Sequence, residues 1–250
     1  MRLSVIIIGY NSWHFLDRNL ASLSFLFDDP KAEVIYIDNA STDGTLIRIG
    51  ERYPGVVVIG NDANRGISVA RNQGILRSSG EYIWLLDSDT EVNEATLSAM
   101  LAFMDSTPDV GLCGCKMYGC DGLVQDSCRV FPTVSGKLRA AVRIFARSTF
   151  SVKHYDTSVS EPFEVDYVIG ACQLIRRSVQ EEVGLLDERI FYGPEDADFC
   201  FRIREAGYSV YYLPQVSIYH AYQRLSARKL FSRITFEHLR GLVYYFFKHR

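Results

Sequence analysis

Four short apolar segments in the first part of the chain alternate with segments of helical periodicity, and this alternation restricts the fold most strongly. The apolar segments are residues 3–8, 33–37, 56–59 and 81–86. Their nearly continuous hydrophobic character, rich in β-branched residues, is typical of strands buried on both faces of a parallel sheet. The sequence therefore predicts a doubly wound α/β fold with right-handed crossovers.

A cluster of polar residues directly follows each of these predicted strands. The clusters are residues 9–12, 38–43, 61–66 and 87–89. Open α/β sheets bind their ligands beyond the carboxyl ends of the strands. We therefore expect a binding site at this edge of the sheet.

The remaining elements follow less regular patterns. The first helix is predicted to begin at Ser12, whose hydroxyl can cap it. An Asp-Gly turn at Asp121 predicts a hairpin between residues 110–117 and 123–125. Further predictions are a strand at residues 164–169, a helix at residues 197–206, and strands at residues 208–213 and 216–219.

Composition excludes several classes of protein. The chain has 250 residues, with 27 Lys and Arg against 30 Asp and Glu, and a net charge of −3. This charge gives no reason to expect binding of nucleic acid. The six cysteines match no common zinc spacing, so reduced and packed thiols are expected.

Several enzyme classes are disfavoured because their motifs are missing. Residues 9–12 lack the spaced glycines of a dinucleotide-binding turn, and the sequence contains neither a P-loop nor a Gly-x-Ser-x-Gly elbow. These gaps disfavour nicotinamide enzymes, P-loop enzymes and α/β-hydrolases. No secretory signal is recognised and no apolar run approaches the ~20 residues that span a bilayer, so a cytoplasmic location is expected.

Two clusters of carboxylates are candidates for chemistry. Asp87 and Asp89 end a predicted strand as an Asp-x-Asp triplet, and hard divalent cations prefer such oxygen ligands. His220 follows another strand, where it is either an ordinary surface or core histidine or a third metal ligand. Glu195 and Asp196 directly precede the predicted helix, where acids interact favourably with the helix dipole, and an Asp held there near a substrate hydroxyl could also act as a general base.

Other polar residues at the strand ends suit a nucleotide. Asp38 could cap its turn, or it could accept a hydrogen bond from N3–H of a pyrimidine base. Asn64, Arg65 and Arg71 offer donors to phosphate groups.

Taken in order along the chain, these motifs resemble those of the family 2 glycosyltransferases, which are inverting enzymes of the GT-A fold. The likeness is greatest to the rhamnosyltransferase-like branch, and it covers essentially the whole chain. The matching segments are residues 5–12, 37–44, 64–72, 86–91, 124–133, 165–172 and 195–202, followed by His220. The resemblance implies a Rossmann-like, mostly parallel central sheet flanked by helices, a smaller acceptor-side subregion and a C-terminal amphipathic helix.

The resemblance also implies roles for individual residues. Asp196 would be the general base and Glu195 would position the acceptor. The metal ligands for Mg²⁺ or Mn²⁺ would be Asp87, Asp89 and His220. The nucleotide-sugar site would consist of Gly9, Asn11, Asp38, Asn39, Asp43, Asn64, Arg65, Arg71, Asp87, Ser88 and Gly170.

The implied partners are a dTDP- or UDP-linked sugar donor and a glycan or lipid-linked saccharide acceptor. L-Rhamnose from dTDP-rhamnose is the first choice of donor, and a UDP-hexose or UDP-N-acetylhexosamine is the alternative. A sugar-1-phosphate nucleotidyltransferase and a non-catalytic nucleotide-sugar-binding protein are the rivals from other classes. Formation of a homo-oligomer is left open.

The chain is predicted to divide into a glycosyltransferase domain and a basic tail. The domain covers residues 1–221, with a nucleotide-sugar half at 1–91 and an acceptor and catalytic half at 92–221. The tail, residues 222–250, carries a net charge of +6 and leaves −9 for the rest. Apolar residues recur in it at helical spacing, namely Phe231, Ile234, Leu239, Leu242, Val243 and Phe246. This pattern suits either an amphipathic helix packed on the domain or one that lies on the anionic inner face of the cell membrane.

Overall fold

The computed structural model describes residues 1–136, 155–221 and 232–250. Its strands, in chain order, are β1 Leu3–Gly9, β2 Ala32–Asp38, β3 Val57–Gly60, β4 Tyr82–Asp87, β5 Thr90–Glu91, β6 Val110–Tyr118, β7 Cys128–Arg129, β8 Phe163–Glu164, β9 Tyr167–Val168, β10 Cys172–Arg176 and β11 Ser209–His220. Its helices are α1 Trp13–Ser22, α2 Thr45–Arg52, α3 Ile67–Arg77, α4 Glu94–Ser106, α5 Arg177–Val183, α6 Glu195–Glu205 and α7 Arg233–Lys248. No helix within these three ranges is long and apolar enough to span a bilayer.

The first four long strands form the parallel part of the central sheet, as the sequence predicts. The sheet runs in the order β3-β2-β1-β4-β10-β6-β11-β5, with β8 paired to β11. In the parallel part, Gly9 lies opposite Asp38 and Ile8 lies opposite Asp87. This register brings the polar clusters that follow β1, β2 and β4 to one edge of the sheet.

The second half of the chain completes the sheet with mixed pairings. Strand β10 is antiparallel to both β4 and β6, whereas β11 is parallel to β6. The end of β11 also pairs with the short strand β5, where His220 lies opposite Thr90. This last pairing brings a residue from near the end of the domain next to Asp89.

Both faces of the sheet are covered, which explains the continuous apolar character of its strands. In β4, Tyr82, Trp84 and Leu86 join the core on one face. Ile83 and Leu85 join the core on the other face. A central parallel strand has no solvent-facing side, so it shows no alternation of polar and apolar residues.

Several sequence predictions in the second half are wrong in detail. Residues 164–169 do not form one strand, because Phe163–Glu164 pairs with β11 and Tyr167–Val168 pairs with β7 in a separate small sheet. Between these strands, the carboxylate of Asp166 accepts a hydrogen bond from the amide of Phe131 at 2.8 Å, which holds the turn. Residues 123–125 are not a strand, since the predicted hairpin has a single bridge between Tyr118 and Val124.

Two other boundaries also differ. The two strands predicted at residues 208–213 and 216–219 are one strand, β11, whose pairing with β6 is irregular between Leu213 and Ser217. The helix predicted at residues 197–206 begins at Glu195, so both candidate catalytic acids lie in its first turn.

The start of α1 is capped differently from the prediction. Ser12 occupies the N-cap position, but its side chain makes no capping hydrogen bond. Instead Oδ2 of Asp43, from the loop after β2, accepts a hydrogen bond from the amide of Trp13 at 3.2 Å. This hydrogen bond joins the loop after β2 to the start of α1. It therefore fixes the polar cluster after β1 to the polar cluster after β2.

Candidate active site

Three candidate metal ligands from distant parts of the chain meet at the carboxyl edge of the sheet. Asp87 ends β4, Asp89 follows two residues later, and His220 ends β11. One ligand atom from each lies within 4.8 Å of the other two. Nε2 of His220 is 3.4 Å from Oδ1 of Asp89.

Gln125 orients the imidazole of His220, a function that the sequence analysis did not assign. Its amide nitrogen donates to the carbonyl of His220 at 2.8 Å, so its oxygen faces Nδ1 of the same residue at 2.7 Å. Because the Gln125 oxygen is an acceptor, Nδ1 donates to it, and Nε2 is the ring nitrogen that faces Asp89. A lone glutamine in a loop has no periodicity that would have indicated this pairing.

The set of donors fits a hard divalent cation. The two carboxylates are ligands that Mg²⁺ and Mn²⁺ prefer, imidazole is a common metal ligand, and a hydrogen-bonded outer partner such as Gln125 is typical of histidine ligands. The three side chains are partly or fully buried, and uncompensated carboxylates there would repel each other.

Arg71 joins this group to the second cluster of acids. Its guanidinium is 2% exposed, and it donates to Oδ1 of Asp87 at 2.8 Å and to Oε1 of Glu195 at 3.2 Å. It also donates to the carbonyl of Gly170 at 2.8 Å. Burial alone would lower the pKa of Arg71, but the charges of Asp87, Glu195 and Asp196 raise it.

Gly170 lies between Arg71 and Asp196. A Cβ atom at this position would collide with the guanidinium of Arg71. The amide of Gly170 donates to Oδ2 of Asp196 at 3.3 Å, while Oδ1 of Asp196 accepts from the amide of Ala197 at 2.8 Å. The half-buried carboxylate of Asp196 is therefore held in one orientation at the first turn of α6.

Glu195 is more deeply buried than its neighbour Asp196. Burial and the nearby charge of Asp196 raise the pKa of Glu195 to about 7, although Arg71 opposes the shift. Among the described residues, Oε2 of Glu195 has no hydrogen-bond partner.

The clusters after β1 and β2 form a second, interconnected group. Asp38 is fully buried, and its carboxylate accepts from the hydroxyl of Tyr36 at 3.1 Å and from the amide of Ser41 at 2.8 Å. The side-chain oxygen of Asn11 accepts from the amide of Thr42 at 2.7 Å. Burial and the charge of Asp38 raise the pKa of Tyr36.

The remaining residues predicted to bind the nucleotide sugar differ in their surroundings: some join neighbouring loops, and others are exposed or lie at a strand end. The side-chain amide of Asn39 donates to Oδ1 of Asn64 at 3.0 Å, which joins the loops after β2 and β3. Arg65 is exposed and pairs with Asp62 at 2.8 Å. Ser88 lies between the two metal-ligand candidates and is buried, and Gly9 ends β1.

Comparison with known proteins identifies the family. Residues 4–184 match the model of glycosyl transferase family 2. The chain is 30% identical over 250 aligned positions to the N-acetylglucosaminyl-diphospho-decaprenol L-rhamnosyltransferase of Mycobacterium tuberculosis, covering 94% of this chain and 81% of that protein. It is 24% identical over 207 positions to the dTDP-rhamnosyl transferase RfbF of Shigella flexneri, covering 82% and 64%.

Solved structures of glycosyltransferases share the fold. GalNAc-T7, solved with UDP, GalNAc and Mn²⁺, superposes with a TM-score of 0.65 at 19% identity, covering 89% of this chain and 44% of that one. The mannosyltransferase PcManGT of Pyrobaculum calidifontis, solved with GDP-mannose and Mn²⁺, gives 0.63 at 22% identity, covering 91% and 59%. The chain thus spans about half the length of these two structures.

The chain therefore belongs to glycosyl transferase family 2 and is a glycosyltransferase. The prediction of the GT-A fold with a C-terminal helix is confirmed.

Proposed function

We propose that this protein is a metal-dependent inverting glycosyltransferase that moves L-rhamnose from dTDP-rhamnose to a lipid-linked saccharide. One observation carries the proposal: Arg71 and Gly170 join the candidate metal ligand Asp87 to the candidate base Asp196 at a single edge of the sheet. A donor diphosphate and an acceptor hydroxyl can meet there.

The nucleotide of the donor is proposed to bind across the ends of β1 and β2. Asn11 and Asp43 fix the two loops to each other and present polar groups at this edge. Asp38 is proposed to select a pyrimidine base through its buried carboxylate, in which each oxygen has a further lone pair. Arg65 is exposed next to the same edge and is proposed to contact a phosphate group.

Asp87, Asp89 and His220 are proposed to hold the cation. Bound Mg²⁺ or Mn²⁺ would supply positive charge to the diphosphate as negative charge develops on it. Arg71 is proposed to keep Asp87 in position rather than to bind phosphate, because its guanidinium is buried among two carboxylates and a carbonyl.

Asp196 is proposed to accept the proton of the acceptor hydroxyl. The acceptor oxygen forms a bond to the anomeric carbon while the bond from that carbon to the diphosphate oxygen breaks, and the electron pair leaves with the diphosphate. Attack occurs on the face opposite the leaving group, so the product has the inverted anomeric configuration. Glu195 is proposed to orient Asp196 and the acceptor from its buried position.

The choice of sugar rests on the two relatives whose names specify rhamnosyl transfer. The decaprenol-linked acceptor in the name of the mycobacterial relative supports a lipid-linked saccharide as acceptor here. A UDP-hexose or UDP-N-acetylhexosamine remains the second candidate for the donor.

A thermal-shift panel of nucleotide sugars tests this proposal. A ligand present at 100 times its Kd stabilises a protein by about 2.7 kcal/mol, which corresponds to a rise in Tm of about 5–10 °C for a chain of this size. We expect such a rise with dTDP-rhamnose and Mn²⁺, and a smaller rise when EDTA replaces Mn²⁺. A larger rise with UDP-sugars would select the second donor, and no rise with any nucleotide diphosphate would contradict the proposed function.

A further inference from the structure

The C-terminal helix α7 packs on the catalytic half of the domain through one of its faces. Leu242 and Tyr245 are buried in this contact. Nζ of Lys248 lies 2.6 Å from Oδ1 of the fully buried Asp198, and Nε2 of His249 lies 2.8 Å from the same oxygen. Because Asp198 is in the first turn of α6, these two contacts fix α7 to the helix that carries Asp196.

The inner face of α7 also contacts the segment just before the catalytic acids. A Cβ atom at Gly241 would lie 2.5 Å from the carbonyl oxygen of Gly193, so only glycine allows this approach. Gly193 and Pro194 immediately precede Glu195 in the sequence. The loop that precedes Glu195 lies on the inner side of α7. Anything that binds the outer face of α7 is therefore about one helix diameter, ~10 Å, from this loop.

The outer face of α7, together with the terminal residue that follows it, consists of large apolar side chains and arginines. Its four apolar residues are between 55% and 65% exposed, namely Phe236, Leu239, Val243 and Phe247. The exposed arginines are Arg233, Arg240 and Arg250. At ~100° per residue the six of these positions that lie within α7 fall within an arc of about 120°.

The apolar residues that recur at helical spacing in the tail do not all lie on the same face of α7. Leu242 faces the domain, whereas Leu239 and Val243 face outward. Phe231 lies outside the described residues.

The charge of the outer face is entirely positive. Glu237 is the acid of this helix, and its side chain is only 13% exposed, 3.4 Å from the 64% exposed side chain of Arg240. Arg250 lies over the ring of Phe247 at 4.2 Å, and Arg233 lies over the ring of Phe191 at 5.2 Å. Arginines thus flank the apolar residues of the outer face along its whole length.

We propose that this outer face binds the surface of a membrane that contains anionic lipids. Apolar side chains at the centre of a helix face with flanking arginines suit the boundary between acyl chains and anionic headgroups. The part of the proposal that concerns catalysis rests on the proposed function: a membrane bound there brings a lipid-linked acceptor within about one helix diameter of the loop that precedes Asp196.

Charge favours the membrane over a second copy of this chain as the occupant of the outer face. Two outer faces placed against each other would oppose arginines to arginines, which disfavours a symmetric contact. An anionic bilayer offers both negative charge and an apolar interior, so it satisfies both kinds of side chain at once.

Co-sedimentation with vesicles tests this inference. We expect the protein to bind vesicles of phosphatidylcholine mixed with phosphatidylglycerol, and to bind vesicles of phosphatidylcholine alone much more weakly. Replacing the three arginines of the outer face by glutamine should weaken binding by roughly fivefold per residue, and replacing its four apolar residues by serine should abolish it. The matched control is the double variant Ile47→Ser and Leu76→Ser, which removes exposed apolar residues from α2 and α3 and should bind like the wild type.

Three outcomes would overturn the inference. They are no binding to the anionic vesicles, equal binding to both kinds of vesicle, and unchanged binding by the serine variant. Light scattering that finds a dimer in the wild type and a monomer in the serine variant would assign the outer face to contact between copies and would also overturn it. The thermal shift with nucleotide sugars is read on the same preparations, so loss of membrane binding with an intact shift overturns this inference and leaves the proposed function standing.

Discussion

Replacing Asp196 by asparagine is expected to reduce kcat for sugar transfer by about 10²–10⁴-fold, the usual contribution of a general base. Asparagine keeps the shape of the side chain, and its single oxygen can still accept the hydrogen bond from the amide of Ala197, but it cannot take up the proton of the acceptor. We therefore expect the affinity for the donor and for Mn²⁺ to remain close to that of the wild type. Initial rates of transfer at saturating donor, with affinities from calorimetry, measure the two effects separately.

The control for this variant is Glu205→Gln. Glu205 ends the same helix α6 and is exposed, so its variant should keep the activity of the wild type. Transfer at the rate of the wild type by Asp196→Asn would remove Asp196 from the role of base. It would also favour the alternative that the protein binds nucleotide sugars without catalysing transfer.

The second large effect is expected for Arg71→Met, which should lower the free energy of unfolding by about 3–5 kcal/mol. The variant leaves the carboxylates of Glu195 and Asp87 without their shared buried partner. Removing one member of a buried ion pair is costly because the remaining charge is neither solvated nor compensated. Urea denaturation of the wild type and the variant gives the difference directly.

The loss of stability in Arg71→Met should depend on pH. Arg71 opposes the rise in the pKa of Glu195, so this pKa rises further in the variant. A carboxyl group whose pKa is raised by folding keeps its proton in the folded state, and its stabilising effect fades as the pH rises through the folded pKa. The deficit of the variant should therefore be larger at about pH 8 than at about pH 5.

The double variant Arg71→Met and Glu195→Gln provides the internal control. Removing the charge of Glu195 should restore part of the lost stability, since a neutral amide is less costly to bury than an unpaired carboxylate. Equal stability of Arg71→Met and the wild type, or no recovery in the double variant, would contradict the role of Arg71 as the link between the two clusters of acids.

The parallel half of the sheet could be predicted because its pattern is local and repeated. Each apolar strand is followed by polar residues, and parallel pairing brings those polar ends together without further information. The position of the Asp-x-Asp triplet at this edge could be predicted for the same reason, because the triplet directly follows an apolar strand. Short strands such as Phe163–Glu164 and Tyr167–Val168 were not predicted, because two residues carry no periodicity and their pairing depends on distant partners.

The partners of buried polar groups could not be predicted from the sequence. Arg71 was expected to contact phosphate, since a surface arginine and a buried one look the same in a sequence; the pairing with Glu195 spans 124 positions. The pairing of Gln125 with His220 spans 95 positions. In α7, apolar residues on both faces give a helical pattern that does not reveal which face is buried.

The position of Mn²⁺ in crystals grown with Mn²⁺ and dTDP is the most direct test of the proposed metal and donor site. We predict an anomalous difference peak within coordination distance of Asp89 and His220, with the diphosphate next to the peak and the pyrimidine at the ends of β1 and β2. A peak elsewhere in the molecule, or a diphosphate bound away from Asp87 and Asp89, would contradict the proposed site and the mechanism that depends on it.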